Sequence, residues 1–336
     1  MATIKDVATL AGVSPTTVSV IINGKASERR ISKTTCEKVY EAMKALQYTP
    51  DLSARKLRGG QDNNRKTIAF FWPSDFRSHF LSSFLTGMQS EAQKNNLNIE
   101  IVIQTYTANK LNEYTTALTR GQYHGAIIGA CSEKDIKFLE TINSQTPIVL
   151  LNRPSKRFST INLDDRYNVQ CVIDLIKENN LSKTALTHSS TPYLASNLRH
   201  QYFLQACKKQ NLLIDEKYIF IGANSIKGGS DSVQNITKLP VLPEVIVCES
   251  DSHAIGVIHS LLKQKLRVPQ DIKVIAMGFL NPDFAEFNTP SITTIEMPNM
   301  EIAKIALQTL NNHISGKQLT PKHIVKKGTL KRRESF

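Results

Sequence analysis

The chain has 336 residues, 40% of them hydrophobic, too long for one small domain and with enough apolar side chains for more than one core. Its 42 Lys/Arg against 29 Asp/Glu leave a formal charge of +13, a field that draws in polyanions such as nucleic acid or an anionic membrane face. No apolar run reaches the roughly 18 residues of a membrane span, and Lys5 and Asp6 stand where a secretory signal needs apolar side chains, so a cytoplasmic protein without a membrane partner is expected.

Thr3 reads as a helix N-cap with Asp6 three residues on, and Ile4, Val7, Ala8 and Ala11 share one face of the helix that follows. Gly12 ends it. Ser14 caps a second helix, with Pro15 at the first helical position, where a missing N–H costs nothing. Val18, Ile21 and Ile22 make its inward stripe. Pro15, Thr16, Thr17, Ser19, Val20 and Asn23 are left facing out or at the ends, a carboxylate-free surface able to approach phosphates and base edges. Ser32 caps a third helix with Cys36, Val39, Tyr40, Met43 and Leu46 as its apolar face. The three read as a small all-α helix-turn-helix domain over residues 1–50, the alternative being any small helical bundle. Residues 1–66 hold 12 Lys/Arg against 6 Asp/Glu, so nearly half the excess charge sits with this module.

The stretch 24–30, with Lys25, Arg29 and Arg30, reads equally as a phosphate-contacting loop or a solvated one. Asp51 can cap a helix of about two turns over 51–57, too short to persist alone in water. With Gly59-Gly60 and the polar run 61–66, the segment 51–66 is either a hinge helix awaiting a partner or an ordinary linker.

From residue 67 short apolar runs (68–72, 99–103, 126–128, 148–151, 185–187, 245–248, 274–277) alternate with amphipathic stretches (84–93, 135–142, 169–176, 203–209, 254–263, 300–314). This predicts two doubly wound α/β lobes with parallel sheets over 67–336. Ligands in such folds bind beyond the carboxyl ends of strands. Those ends offer Asp75, Asn152-Arg153, Asp164-Asp165, Ser250-Asp251 and the stretch 278–281, while Phe76, Phe80 or Phe279 can stack on a sugar face. Polar strand ends also arise simply where chains turn.

Signs of catalysis are few. No Gly-x-Gly-x-x-Gly follows a strand, and neither a Gly-Lys-Ser/Thr loop nor a Gly-x-Ser-x-Gly elbow is present. The five cysteines are odd in number and widely spaced, without a Cys-x-x-Cys pair or a histidine at metal spacing, and read as reduced, mostly buried side chains. His79, His124, His188 and His253 lie near strand ends without a second histidine at metal spacing. No cofactor and no catalytic residue is expected; an enzyme and a solute-binding protein are the rival readings.

The opening Ala-Thr-Ile-Lys-Asp-Val-Ala, the Ala-Gly-Val-Ser corner, Thr17-Val18-Ser19, Asn23 and the run Tyr48-Thr49-Pro50-Asp51-Leu52-Ser53-Ala54-Arg55-Lys56-Leu57 closely resemble the LacI/GalR family of transcriptional regulators. The resemblance continues more loosely through the rest of the chain. It implies a ligand-responsive repressor of carbohydrate-related genes that binds double-stranded, palindromic operator DNA as a homodimer. Pro15, Thr16 and Val20 would read bases, and Thr17, Ser19 and Asn23, with Thr3 and Ser14 at the helix starts, would support DNA contact. Leu57 would wedge into the minor groove, Ala54 would pack and Arg55 and Arg58 would lie near the backbone. Val20 departs from the Arg or His common there and offers only apolar contact, for instance to a thymine methyl.

The larger part resembles two-lobed periplasmic sugar-binding proteins. The resemblance matches Arg199 to an effector-clamping arginine, Ser250-Asp251 to an Asn-Asp pair, Asp164-Asp165 to an Asp-Asn pair, and Phe80 to the end of an Asn-Pro-Phe-Phe motif. The implied effector, a sugar or sugar phosphate, would lie among Asp75, Phe76, Phe80, Arg153, Asp164, Asp165, Arg199, Ser250, Asp251 and Phe279. Leu280 and Asn281 stand where the family has a sugar-binding aspartate, and the basic lobes favour an anionic effector. Residues 322–336 are a β-like run followed by charge rather than a leucine heptad, so a dimer is expected over a tetramer.

Overall fold

A computed structural model describes residues 3–22, 26–46, 48, 65–75, 77, 80–190, 194–212, 214–278 and 282–336. The N-terminal module consists of α1 (Ile4–Ala11), α2 (Pro15–Ile22) and α3 (Lys33–Ala45). Thr3 caps α1 reciprocally. Asp6 N–H donates to the Thr3 hydroxyl at 3.3 Å, and the Asp6 carboxylate accepts from Thr3 N–H at 2.7 Å, bonds that hold this carboxyl below its ordinary pKa. Gly12 turns the corner at φ +66°, a left-handed conformation that a Cβ would strain, and its N–H reaches the Ala8 carbonyl.

Val7, Ala8, Ala11, Val18, Ile21, Val39 and Ala42 form the module's core, with Cys36, Met43 and Leu46 packed against it. Tyr40, expected on the inner face of α3, is instead 54% exposed. Ala42, on the opposite edge of the stripe formed by Cys36, Val39, Met43 and Leu46, is buried instead. The expected hinge over 51–57 lies outside the described residues.

The larger part opens with β1 (Lys66–Pro73), α4 (Leu81–Lys94), β2 (Ile99–Tyr106), α5 (Thr115–Thr119), β3 (Gly125–Gly129), α6 (Glu133–Thr141), β4 (Ile148–Leu151) and β5 (Ser159–Leu163). It continues with α7 (Asp165–Glu178), β6 (Thr184–Ser189), α8 (Leu194–Lys209), β7 (Ile219–Gly222), α9 (Ile226–Ser232), β8 (Val245–Cys248), α10 (Asp251–Lys263), β9 (Lys273–Ala276), α11 (Pro282–Glu286) and β10 (Thr293–Glu296). Last come α12 (Asn299–Ile314), β11 (His323–Lys326) and β12 (Thr329–Lys331).

The strands form two six-stranded sheets, ordered β11-β5-β4-β3-β1-β2 and β12-β10-β9-β8-β6-β7. Neighbours are parallel except β12, which pairs antiparallel with β10 at an edge. Apolar runs without alternation make sense here because both faces are covered. Along β1, Ile68, Phe70 and Trp72 enter one core while Ala69 and Phe71 enter the other. Burying each of these phenylalanines contributes roughly 1.5–3 kcal/mol. In β8, Val245 and Val247 face one side and Ile246 and Cys248 the other.

The chain passes between the lobes three times, from β5 to α7, β10 to α12 and β11 to β12. Asp164 N–H donates to the Lys326 carbonyl at 2.8 Å and Gly328 N–H to Asn168 Oδ1 at 2.8 Å, so the crossovers are tied to one another. All five cysteines are free thiols. Burial pushes the Cys131 thiol up to about 11 and those of Cys207 and Cys248 up to about 12, which keeps them protonated.

Candidate DNA-binding face and effector cleft

The start of α2 is built by Ser14. Its Oγ accepts from Thr17 N–H at 3.1 Å and lies 2.9 Å from the Thr17 hydroxyl, so these two side chains are engaged with each other. Ser14, Pro15 and Thr16 are exposed, Thr17, Ser19 and Val20 half-buried, and α2 carries no acidic residue. Thr3 serves as the α1 cap. Of the other expected site residues, Asn23, Ala54, Arg55, Leu57, Arg58, Phe76 and Phe279 lie outside the described residues. Arg29 and Arg30 are exposed in the turn after α2, with Arg30 at φ +53°.

Between the lobes, at the carboxyl ends of β1, β3, β4 and β5, lies a cleft that brings together Phe80, Arg153, Asp165 and Arg199. Trp72, Arg77, Phe84, Asn152, Met297 and Asn299 join them, and reading strand ends alone did not single out any of these except Asn152. Trp72 forms an aromatic wall with Phe84, ring centroids 5.2 Å apart, and its Nε1 donates to the Arg77 carbonyl at 3.0 Å. Asp75 is present through Arg77, whose Nε donates to it at 2.9 Å and whose Nη2 closes a second bond to the same carboxylate.

Arg199, on α8, donates from Nε to Asp165 at 3.2 Å and from Nη1 to the carbonyls of Met277 at 3.1 Å and Glu249 at 3.3 Å. The cavity enclosed is about 60 Å³, room for a few waters and less than a sugar needs.

Besides Asp75, which reaches the cleft only through Arg77, three expected residues are not among those lining it. Asp164 caps α7, accepting from Tyr167 N–H at 2.9 Å, and borders a separate open groove of about 390 Å³ with Glu301, Val325, Lys326 and Lys327. That groove is larger, but Lys326 is paired to Glu301 at 2.6 Å and Lys327 lies over the Tyr167 ring, which leaves a solvated crossover face. Ser250 caps α10, accepting from His253 N–H at 3.3 Å. Asp251 is fully buried, accepts from Ser252 N–H at 2.7 Å and donates its own N–H to Gly278. Asp164 and Ser250 follow strands because helices begin there and need caps, and Asp251 is the first residue of α10.

Behind Arg199, the His188 and His200 rings stand 4.3 Å apart, and Ser196 donates to Glu249 at 2.6 Å. Among the described residues, His200 Nδ1 and Glu249 Oε1 are buried without a hydrogen-bond partner. Burial, and secondarily the neighbouring His188, lower the pKa of His200. His124 accepts from Thr67 N–H at 2.9 Å, and His253 Nε2 meets the Ala223 carbonyl at 2.8 Å, so these strand-end histidines are held structurally. Among the described residues no group of three or more His, Cys, Asp or Glu side chains is placed to hold a metal, and no helix is long and apolar enough to cross a membrane.

Two family models match the chain. One, described as bacterial regulatory proteins of the lacI family, covers residues 3–51; the other, a periplasmic binding protein-like domain, covers 177–336. The probable HTH-type transcriptional repressor ExuR of Bacillus subtilis (strain 168) is 28% identical over 322 residues, 94% of this chain and 92% of that relative. A LacI family transcription regulator of known structure from Clostridium acetobutylicum is 30% identical, with a TM-score of 0.74 over 80% of this chain and 99% of its own. The lac repressor dimer bound to operator and the anti-inducer ONPF shares the fold, with a TM-score of 0.71 at 20% identity over 99% of this chain and 98% of its own.

Proposed function

We propose, from the premise that this chain belongs to the LacI family of bacterial regulatory proteins, that it represses carbohydrate-related genes by binding a palindromic operator as a homodimer, with a sugar or sugar phosphate in the interlobe cleft setting its DNA affinity. The chain is a DNA-binding transcriptional repressor with a ligand-binding domain, and its relatives are repressors rather than enzymes. One observation carries the finer reading. A capped, acid-free helix α2 shares its chain with a cleft at parallel strand ends that joins an aromatic wall to Arg153, Arg199 and Asp165.

In this reading Pro15, Thr16 and Val20 meet base edges, and Ser19, Thr17 and Asn23 meet phosphates. Residues 51–57 form a hinge helix only when two copies meet over the minor groove, with Leu57 as the wedge, Ala54 packed and Arg55 and Arg58 beside the backbone. Two-fold symmetry of the protein then requires two half-sites. A second copy is supported by the exposed apolar side chains Ile226, Phe284 and Phe287 on and beside α9 and α11, both of which pack on α10.

The cavity is too small for a sugar, so ligand entry requires the lobes to part about their three crossovers and close again. That motion changes the spacing of the two N-terminal lobes and hence of the paired hinges, a coupling on the order of 1–3 kcal/mol.

Trp72 is the chain's single tryptophan and lines the cleft, which makes its emission a direct reporter. The test selects a duplex from a random pool with the full-length protein, then titrates neutral sugars and sugar phosphates while following Trp72 emission and duplex affinity together. A ligand that moves both supports the reading. Ligands that shift the emission and leave duplex affinity unchanged would refute control through this cleft.

A further inference from the structure

We infer that His200 and Glu249 form a proton-operated latch in the second lobe, in which uptake of one proton joins the two side chains and resets the Arg199 grip on the cleft. Its further effect on duplex affinity rests on control through that cleft. His200 lies on α8 one residue beyond Arg199, and Glu249 directly follows β8. Among the described residues, His200 Nδ1 and Glu249 Oε1 are buried without a hydrogen-bond partner, and Glu249 is 4% exposed. The other carboxylate oxygen accepts from the Ser196 hydroxyl at 2.6 Å. His253 Nε2 stands 3.9 Å from Oε1 but meets the Ala223 carbonyl at 2.8 Å instead.

Buried polar atoms left unpaired are unfavourable. A neutral imidazole donates from one nitrogen, an imidazolium from both. Protonation therefore makes Nδ1 a charged donor whichever tautomer precedes it, and Glu249 Oε1 is an acceptor in want of one.

Charged and titratable side chains face the pair from each neighbouring element. From β6 comes His188, its ring 4.3 Å from that of His200 and its Nδ1 against the Ser189 carbonyl. The start of α10 brings Asp251 and His253, both fully buried. From α7 come Asp165, paired to Arg199, and Arg166, which lies over the Tyr202 ring. Burial, and secondarily His188, disfavour the imidazolium while Glu249 favours it, so the proton is taken up on the acid side of 6.5. Two imidazoles this close take up one proton before a second. Joining His200 to Glu249 moves α8 against the end of β8, and Arg199 bridges the same elements by donating from Nη1 to the Glu249 carbonyl at 3.3 Å.

The test follows Trp72 emission of the full-length protein without added ligand, together with its affinity for a selected duplex, from about pH 8 to about pH 5.5. Residues 1–66 contain no histidine, so the DNA-binding module has no side chain whose ordinary pKa lies near 6.5. Both readouts should follow one single-proton curve, with duplex affinity changing by about threefold or more, the equivalent of half a pKa unit. His200→Gln should remove the curve. His188→Gln, which takes away the opposing ring, should move its midpoint to higher pH, and Glu249→Gln should move it lower; purely structural roles predict neither shift. Where His200→Gln does not fold, the direction of the His188→Gln shift decides.

Emission that titrates in this way while duplex affinity stays flat retains the latch and refutes control through the cleft. Emission that is flat across the range, or that titrates identically in the wild type, His200→Gln and His188→Gln, overturns the inference.

Discussion

Replacing Arg199 with alanine tests how much of the cleft is held by one guanidinium. Arg199 is 6% exposed and donates hydrogen bonds in two directions, to Asp165 at 3.2 Å and to the carbonyls of Glu249 and Met277 at 3.3 and 3.1 Å. Truncation strands the Asp165 carboxylate, and breaking a buried ion pair from one side costs about 3–5 kcal/mol. The Asp165 side chain keeps 16% exposure and can draw water from the cleft, so the lower end, about 3 kcal/mol, applies. For a domain of this size that corresponds to a fall in melting temperature of roughly 6–12 °C.

Calorimetry of the wild type, Arg199→Ala, Asp165→Asn and the double variant measures the coupling directly. The double variant should recover part of the loss, because no carboxylate is then left without its cation. Ligand-induced change in Trp72 emission should also disappear in Arg199→Ala. A melting temperature within about 1 °C of wild type would show that the pair contributes little and would refute the argument.

Gly129→Ala would set a Cβ 2.3 Å from Cζ3 of Trp72, so the ring must move into the cleft. The expected cost is roughly 1–3 kcal/mol with a shifted Trp72 emission, and unchanged emission and melting would count against this packing. Replacing both Arg29 and Arg30 with alanine should lower the slope of log affinity against log salt by about 0.9 for each phosphate no longer neutralised, leaving base preference intact; an unchanged slope identifies a solvated turn. His200 has its pKa lowered from 6.5 by burial, so the unfolded chain takes up a proton first as pH falls. Stability should therefore decrease on acidification through about 6.5, and His200→Gln should flatten that part of a melting-temperature profile; an identical profile would assign the acid sensitivity elsewhere.

Features governed by near neighbours were legible in the chain itself. Thr3 with Asp6, Gly12 at the corner, Ser14 before Pro15 and Ser32 before Lys33 act as their types dictate, since a cap or a left-handed turn is satisfied within about four residues. The apolar runs marked strands correctly, six of them inside the sheets and one, β2, at an edge, because both sheet faces are covered. Short or half-polar elements escaped: β7, β10, α9 and α11 carry too few apolar positions, or lie too near an edge, to impose a period, whereas β11 and β12 fall in the tail run 322–336 that already reads as β-like.

The cleft is where local reasoning ran out. Asp164, Ser250 and Asp251 carry hydrogen-bonding side chains at the ends of strands, yet helix starts use them, whereas Arg77, Trp72, Met297 and Asn299 enter the cleft with no local mark to announce it. Amino-acid order alone determined that this is a capped helical module followed by two parallel α/β lobes, because periodicity and capping act over one or two turns. Only the tertiary structure decided which side chains face one another between the lobes. Residues as distant as 72 and 299 meet there through sheet order and three chain crossovers, an arrangement that no short stretch of sequence encodes.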